Sequence, residues 1–312
     1  MRVELPMCLF NFEAGGLQPS GQYDFGKLRL AFKNIRPRPV LIVINEGKEW
    51  GSKGSIPLFA ANSALMAELG GTYEAHLGHS ERGPFGPAIF FDPNVLEIKY
   101  WGDERVPYLD KRNLGRFVVR GNGQPFEVLA QHWNPDGGEL RMTEAGRAAS
   151  LGKKAVPELL MGDLNETASG LHLPQFNWEI ATPGFRRGKG RQLPDGSWTA
   201  YTDNVDRLVG KWDPTYAWGH PKARRYDGEG FHIVAELAAK SGTPSKEAFM
   251  PTVNEGVDIG GELLIDYMLI NAAWLKKGGL APKTYKVHVP AGNNRRKWPS
   301  DHRLVSATFW LG

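Results

Sequence analysis

Residues able to bind a metal or move a proton stand at the abrupt ends of several apolar runs. Residues 3–10 end at Asn11, 40–44 at Asn45 and Glu46, 126–130 at Gln131 and His132, and 159–161 at Gly162, Asp163, Leu164 and Asn165. Asp266 lies inside the apolar stretch 263–270, and Ser300-Asp301-His302 precedes the last one. Glu46 and Asp301 are hard oxygen donors suited to Mg²⁺, with Mn²⁺ as the alternative; such ions take a few carboxylates and retain water. Asn11 and Asn165 can orient a ligand, a nucleophile or a phosphate without adding negative charge. His302 can accept a proton near neutral pH, and a carboxylate such as Asp266 would fix its tautomer and stabilise its cation. The set supplies what phosphodiester hydrolysis requires: a cation for the phosphoryl oxygens, a base for water and donors that recognise phosphate.

The runs that end in these residues predict short buried strands. Further strands are expected at 88–91, 116–120, 263–270, 285–289 and 304–311. Helices are expected at 23–35, 56–69, 139–154 and 230–240; in the last, Phe231, Val234, Leu237 and Ala238 have the spacing of one helix face. Strands with interspersed helices in both halves favour a layered α/β sandwich. Residues 169–229 break the pattern, being rich in Gly, Pro, Trp and basic residues without a sustained period. A connection this long predicts a functional insertion, ordered in part by Trp178, Trp198, Trp212 and Trp218.

At 312 residues, 41% hydrophobic, 23% charged and 11% aromatic, the composition is that of a folded globular chain. We read it as a single catalytic domain over 1–312 with the insertion at 169–229. Cys8 is the only cysteine and lies in an apolar run, which excludes an internal disulfide and a thiolate metal cluster and predicts a buried structural thiol. No stretch approaches the ~20 apolar residues of a membrane span, so a cytoplasmic location is expected. The net charge of +4 is too mild to identify a partner.

Asn11 after the first strand, Glu46 after the second, Gly162-Asp163-Leu164-Asn165, Ile265-Asp266-Tyr267 and Ser300-Asp301-His302 resemble, in this order, the signatures of the endonuclease/exonuclease/phosphatase superfamily. They span residues 11 to 302, nearly the whole chain. The resemblance implies a four-layered α/β sandwich, two central mainly antiparallel β-sheets flanked by helices, with the site at an edge where the sheets meet. It implies that Glu46 binds the metal and that Asn11 and Asp301 complete or support that site. Asp163 and Asn165 would position water and phosphate, and the Asp266–His302 pair would be the acid/base machinery, with Asp163 and His302 both candidates for taking the proton. His132 resembles the second active-site histidine of the deoxyribonuclease I and sphingomyelinase-like branches; apurinic endonucleases usually carry asparagine there. One departure is Phe85, which stands where deoxyribonuclease I has a supporting glutamate; Glu81 is the loop residue that could replace it.

Three basic clusters lie in stretches read as loops: residues 186–191, 222–225, and Arg295, Arg296 and Lys297 with Trp298. The third precedes Ser300-Asp301-His302 and must approach the catalytic edge if the resemblance holds. Its cations could neutralise backbone phosphates while Trp298 stacks on a base. The leading expectation is therefore a metal-dependent nuclease, an endonuclease in the sense of the resemblance, with DNA as substrate. A phosphatase or phospholipid phosphodiesterase is the alternative, and a catalytically silent binding protein the third reading. His76 and His79 lack neighbours that would complete a zinc site, His288 reads as a strand-surface residue, and His172, His220 and His232 have no motif support.

Overall fold

In a computed structural model of the protein, which describes residues 1–80, 83–102, 113–292 and 294–312, the first half runs β1 (Val3–Asn11), α1 (Phe25–Phe32), β2 (Leu41–Lys48), α2 (Ser52–Leu69), β3 (Glu74–Leu77), β4 (Phe85–Phe91), β5 (Leu96–Gly102), β6 (Leu114–Val119), β7 (Pro125–His132), α3 (Gly138–Gly152) and β8 (Glu158–Asp163). Residues 169–229 contribute α4 (Pro183–Lys189), β9 (Gly190–Gln192), β10 (Trp198–Ala200), α5 (Asp203–Val209), β11 (Lys211–Trp212) and β12 (Arg225–Tyr226). The chain then forms β13 (Phe231–Ile233), α6 (Val234–Lys240), α7 (Ser245–Ala248), β14 (Asp266–Asn271), α8 (Ala272–Lys277), β15 (Gly278–Leu280), β16 (Lys286–His288) and β17 (Leu304–Leu311).

Two large mixed sheets result. One has the order β15-β17-β1-β2-β4-β3, with β16 also paired to β17; the other has the order β13-β14-β8-β7-β6-β5. Each contains one parallel pair, β1–β2 and β7–β8, among antiparallel neighbours. Parallel neighbours need a crossover, supplied by α1 and by α3. This arrangement positions the site, because the C-terminal ends of both parallel pairs carry Asn11, Asn45, Glu46, His132 and Asp163.

Period-two alternation places Leu5, Met7 and Leu9 of β1 in the core shared with Val128 and Met161. Cys8 and Phe10 face the other way, packing with Leu28, Phe32, Leu58 and Leu65 of α1 and α2. The Cys8 thiol is buried, and burial pushes its pKa up, in keeping with an inert structural residue.

The helix expected at 230–240 begins only at Val234. Phe231–Ile233 instead pairs with β14, with Ile233 opposite Leu269. Aromatic and β-branched residues suit that pleated edge, and apolar spacing over one turn does not distinguish the two states. The strand expected at 263–270 starts at Asp266, because Ile265 packs with Trp178 and Val253 in a separate cluster. β3 and β5 carry exposed and half-buried residues and were not expected. Within the insertion, α4 and α5 have seven residues each, too short for a period to emerge. Trp178 and Trp212 are buried there, while Trp198 and Trp218 are half-buried. Among the described residues, no helix is long and apolar enough to cross a membrane.

Candidate active site

Asp163 is the centre of the constellation. It pairs in register with His132 across the parallel β7–β8 ladder and with Asp266 across the antiparallel β8–β14 ladder. Residues in one such row project to the same face. Asp163 Oδ2 accepts a hydrogen bond from Asn11 Nδ2 at 2.9 Å, and lies 3.8 Å from His302 Nε2 and 3.9 Å from His132 Nε2. Asp163 Oδ1 accepts from the Asn165 backbone N–H at 2.7 Å, closing a tight turn in which Asn165 has φ 52°. Gly162 permits this approach: a Cβ there would stand 1.8 Å from the Gln131 carbonyl oxygen.

Asn45 stitches the two sheets together beneath the site. Its Nδ2 donates to Gln131 O at 2.6 Å, and its Oδ1 accepts from the Asp163 N–H at 3.1 Å. Next to it, Glu46 takes φ 63° where the β2–β4 register shifts between Ile44 and Gly47. A non-glycine residue in that region is held there by its surroundings. The local irregularity carries the Glu46 carboxylate to Asn11 Nδ2 (3.3 Å) and the Ala14 N–H (2.8 Å).

His302 comes from the other end of the chain. His302 pairs with Val253 in an isolated bridge, and Asn254 Nδ2 donates to the Ser300 carbonyl at 3.0 Å. The Thr252 hydroxyl accepts from the N–H groups of Ile265 and Asp266. This short segment therefore fixes Asp266 and His302 together, and His302 Nδ1 lies 2.8 Å from Asp266 Oδ2. Burial disfavours charge on His302, but the carboxylates of Asp266, Asp301 and Asp163 outweigh it and raise its pKa well above the usual value. Burial and the Asp266 charge raise Asp163, against the lowering influence of His302, His132 and Lys189.

Two sets of groups could meet a cation. Asp163, Asp266 and His302 present ligand atoms within 4.8 Å of one another. Their internal hydrogen bond and opposite charges already compensate this trio. Asn11, Glu46 and Asp301 offer the oxygen donors that a hard divalent cation takes. Asn11 Oδ1 is buried without a hydrogen-bond partner, and Glu46 and Asp301 add carboxylate oxygens. Glu13 reports the same negative potential: burial, Asp301 and Glu46 all raise its pKa.

Sequence reasoning named Asn45 only as a strand-end residue without a role, and did not single out Glu13 or the role of Lys189. The Lys189 ammonium is buried and donates to Asn165 Oδ1. A polar Asn45 at the end of the apolar run of β2 was a readable signal; the arrival of Lys189 from residues 169–229 was not. Residues 186–189 form the last turn of α4 rather than a loop. Arg225, in the second basic cluster, is tied to Glu236 and to the carbonyls of Ser169 and Gly210.

Arg295, Arg296 and Lys297 form one exposed 3₁₀ turn before Ser300, but Trp298 does not offer the open stacking face expected of it. It is buried, with its indole N–H donated to Gly292 O at 2.9 Å. Phe85 occupies the start of β4, and Glu81 lies outside the described residues. His76 stacks on Phe91, and His172 packs between aromatic rings while bonding Glu236 at 2.9 Å.

No family model matches the sequence, and no curated protein matches it. Solved structures do match its fold along nearly the full chain. An endonuclease/exonuclease/phosphatase family protein from Bacteroides thetaiotaomicron is 13% identical with a TM-score of 0.57, covering 100% of this chain and 96% of its own. The TDP2 of D. rerio, complexed with single strand DNA product, is 12% identical with a TM-score of 0.56, covering 98% of each chain. The mannosyl-6-phosphatase Bt3783 of Bacteroides thetaiotaomicron VPI-5482 is 14% identical with a TM-score of 0.55, covering 98% of this chain and 99% of its own. With its two mixed sheets and the site at their shared edge, the chain has the fold of the endonuclease/exonuclease/phosphatase superfamily.

Proposed function

We propose that the chain is a divalent-metal-dependent phosphodiesterase whose substrate is nucleic acid, DNA foremost. The observation that carries this reading is the convergence of Asn11, His132 and His302 nitrogens within 2.9–3.9 Å of one carboxylate oxygen of Asp163. A divalent cation, Mg²⁺ or Mn²⁺, held by Glu46 with Asn11 and Asp301 would offset charge on a phosphoryl oxygen.

The protein groups divide the remaining work. Asp163 has the raised pKa of a carboxylate able to take a proton from water, and Asn11 holds the oxygen that would do so. His302 is held cationic by its carboxylate neighbours and can donate to an oxygen on which negative charge develops. Asp266 keeps its ring oriented. His132 supplies a second imidazole on the opposite side of Asp163, and Asn165 a carboxamide for the phosphate. Arg295, Arg296 and Lys297 are exposed and would meet flanking phosphates, with Arg295 also held to the Gly256 carbonyl. The DNA product in the TDP2 neighbour supports nucleic acid as the substrate class.

The buried face of Trp298 and the mannosyl-6-phosphatase neighbour favour phosphomonoester hydrolysis as the second reading. Plasmid DNA, single-stranded DNA, RNA, a phosphoinositide and sphingomyelin, each tested with Mg²⁺, Mn²⁺ and EDTA, separate the readings. The nuclease reading requires metal-dependent cleavage of a nucleic acid that His302→Ala abolishes. Intact nucleic acids beside a cleaved lipid or small phosphate ester would reject it.

A further inference from the structure

Lys189 enters the site from an insertion that is otherwise remote in sequence, and its delivery is anchored at several points. Thr182 caps α4 by accepting from the Phe185 N–H, while its hydroxyl donates to Asp258 Oδ2 at 2.6 Å. At the other end of this helix, Arg141 donates Nη1 to the Gly188 carbonyl at 2.9 Å and Nε to Glu166 Oε2 at 2.8 Å. Glu166 directly follows Asn165 and is fully buried, accepting in addition from the Asn204 N–H at 2.7 Å. The Lys189 carbonyl accepts from the Tyr201 N–H at 3.0 Å. Gly188 passes so close to Pro135 that a Cβ would meet its carbonyl oxygen at 2.5 Å. The backbone is thus clamped on both sides of the lysine, and Arg141 links that clamp to the turn carrying Asn165.

A carboxamide can present either its oxygen or its nitrogen, and the two orientations differ by a flip of the terminal group. Lysine has only donors and the Trp133 backbone carbonyl only accepts, so the two contacts together select the oxygen-to-lysine orientation. The Asn165 nitrogen then donates one hydrogen to the Trp133 carbonyl at 2.8 Å. Its second N–H remains to be offered, and a donor is the complement of a phosphate oxygen. The ammonium also places positive charge near Asp163, whose pKa it lowers.

We infer that Lys189 is a positioning residue: by holding Asn165 Oδ1, opposite the Trp133 carbonyl on the amide nitrogen, it commits the Asn165 carboxamide to donating toward the phosphate of the substrate. This rests on the assignment of Asn165 to phosphate recognition. The insertion at 169–229 is then a part of the active site that fixes the polarity of one of its recognition groups. The contact acts through Asn165, so its effect disappears when that carboxamide is absent.

A double-mutant cycle tests this, using hydrolysis of bis(4-nitrophenyl) phosphate with Mg²⁺ and calorimetric binding of inorganic phosphate. Lys189→Met is expected to lower kcat and weaken phosphate binding by at least about tenfold. Lys189→Arg, which restores a donor-only cation, should recover most of both. In an Asn165→Ala background, Lys189→Met should change either quantity by no more than about twofold. Unchanged phosphate binding in Lys189→Met, or effects of the two substitutions that simply multiply, would overturn the inference. If Lys189→Met does not fold, Lys189→Gln takes its place in the same cycle. Absence of ester hydrolysis by the wild type counts against the proposed function alone, because the phosphate-binding arm still decides the role of Lys189.

Discussion

His302 Nδ1 stands 2.8 Å from Asp266 Oδ2, although the two residues are 36 apart in the chain. A carboxylate oxygen accepts, so Nδ1 donates to Asp266, and Nε2, turned toward Asp163 3.8 Å away, is the nitrogen left to give up or take the transferred proton. Asp266→Asn could offer the ring an amide N–H and favour the other tautomer. Its kcat should fall by about 10²- to 10⁴-fold, with a much smaller change in KM. Steady-state kinetics on the best substrate measure this, and an unchanged kcat would remove the pair from proton transfer.

The oxygen set at the ends of β1 and β2 makes a second prediction. Chelation by EDTA should abolish activity, and added Mg²⁺ or Mn²⁺ should restore it. Asn11→Ala deletes the unpartnered buried oxygen and the donor to Asp163 together. It should raise the Mg²⁺ concentration giving half-maximal rate by roughly 10- to 100-fold. A metal titration of the variant with an unshifted midpoint would mean that Asn11 contributes nothing to the metal site.

Residues at strand ends were the legible part of this protein, because strand, motif and chemistry coincide there. β1, β2, β7 and β8 bring Asn11, Glu46, His132 and Asp163 together through local sequence and simple βαβ crossovers. His302 was readable as a motif, yet the segment Thr252–Asn254 that fixes it carries no signature and matters only through backbone pairing. The three-residue strand β13 shares its apolar spacing with the helix that follows, so the boundary between them depends on the free edge of β14. Trp298 shows the limit for binding residues. Aromatic type was visible, whereas the tertiary fold decides whether the ring faces a ligand or, as here, is buried with its N–H donated to the Gly292 carbonyl. Lys189 shows the same limit in reverse, a surface-type residue buried by contacts that no local pattern encodes.

Gly162 offers a test of the packing that supports the site. The parallel ladder places it opposite Gln131, and a methyl group there would overlap the Gln131 carbonyl oxygen, a backbone atom that cannot rotate away. Gly162→Ala should therefore destabilise the fold by about 3 kcal/mol or more, the upper part of the range for overpacking. Chemical denaturation with a matched substitution at exposed Gly184, which has open space around it and no left-handed backbone, separates this steric cost from a general loss of glycine. Near-equal destabilisation of the two variants would contradict the close approach of β7 and β8.

Glu158 sets a pH dependence away from the site. It lies beside Glu127 in the β7–β8 register, and the Lys154 ammonium is 3.1 Å from Glu127 and 3.3 Å from Glu158. Burial first, and then Glu127, push the Glu158 pKa up to about 9, while the hydrogen bonds and charges around Glu127 hold that partner below its usual range despite its burial. The folded pair therefore keeps a proton that an unfolded glutamate releases near a pKa of about 4.3. For Glu158 the folded state binds the proton more tightly, so its contribution is fully present below about pH 4.3 and is lost as pH rises toward 9. Glu127 has the opposite sign, its contribution being lost only as pH falls below the ordinary carboxylate range. Between pH 6 and 9 the Glu158 effect alone operates, with a slope of at most about 1.4 kcal/mol per pH unit. Glu158→Gln keeps the shape and removes the titration, so the variant should gain stability over the wild type as pH increases across that window. Melting curves of both proteins at pH 6, 7.5 and 9 should show a widening gap in Tm; a gap that stays constant would mean that Glu158 is already ionised in the folded protein.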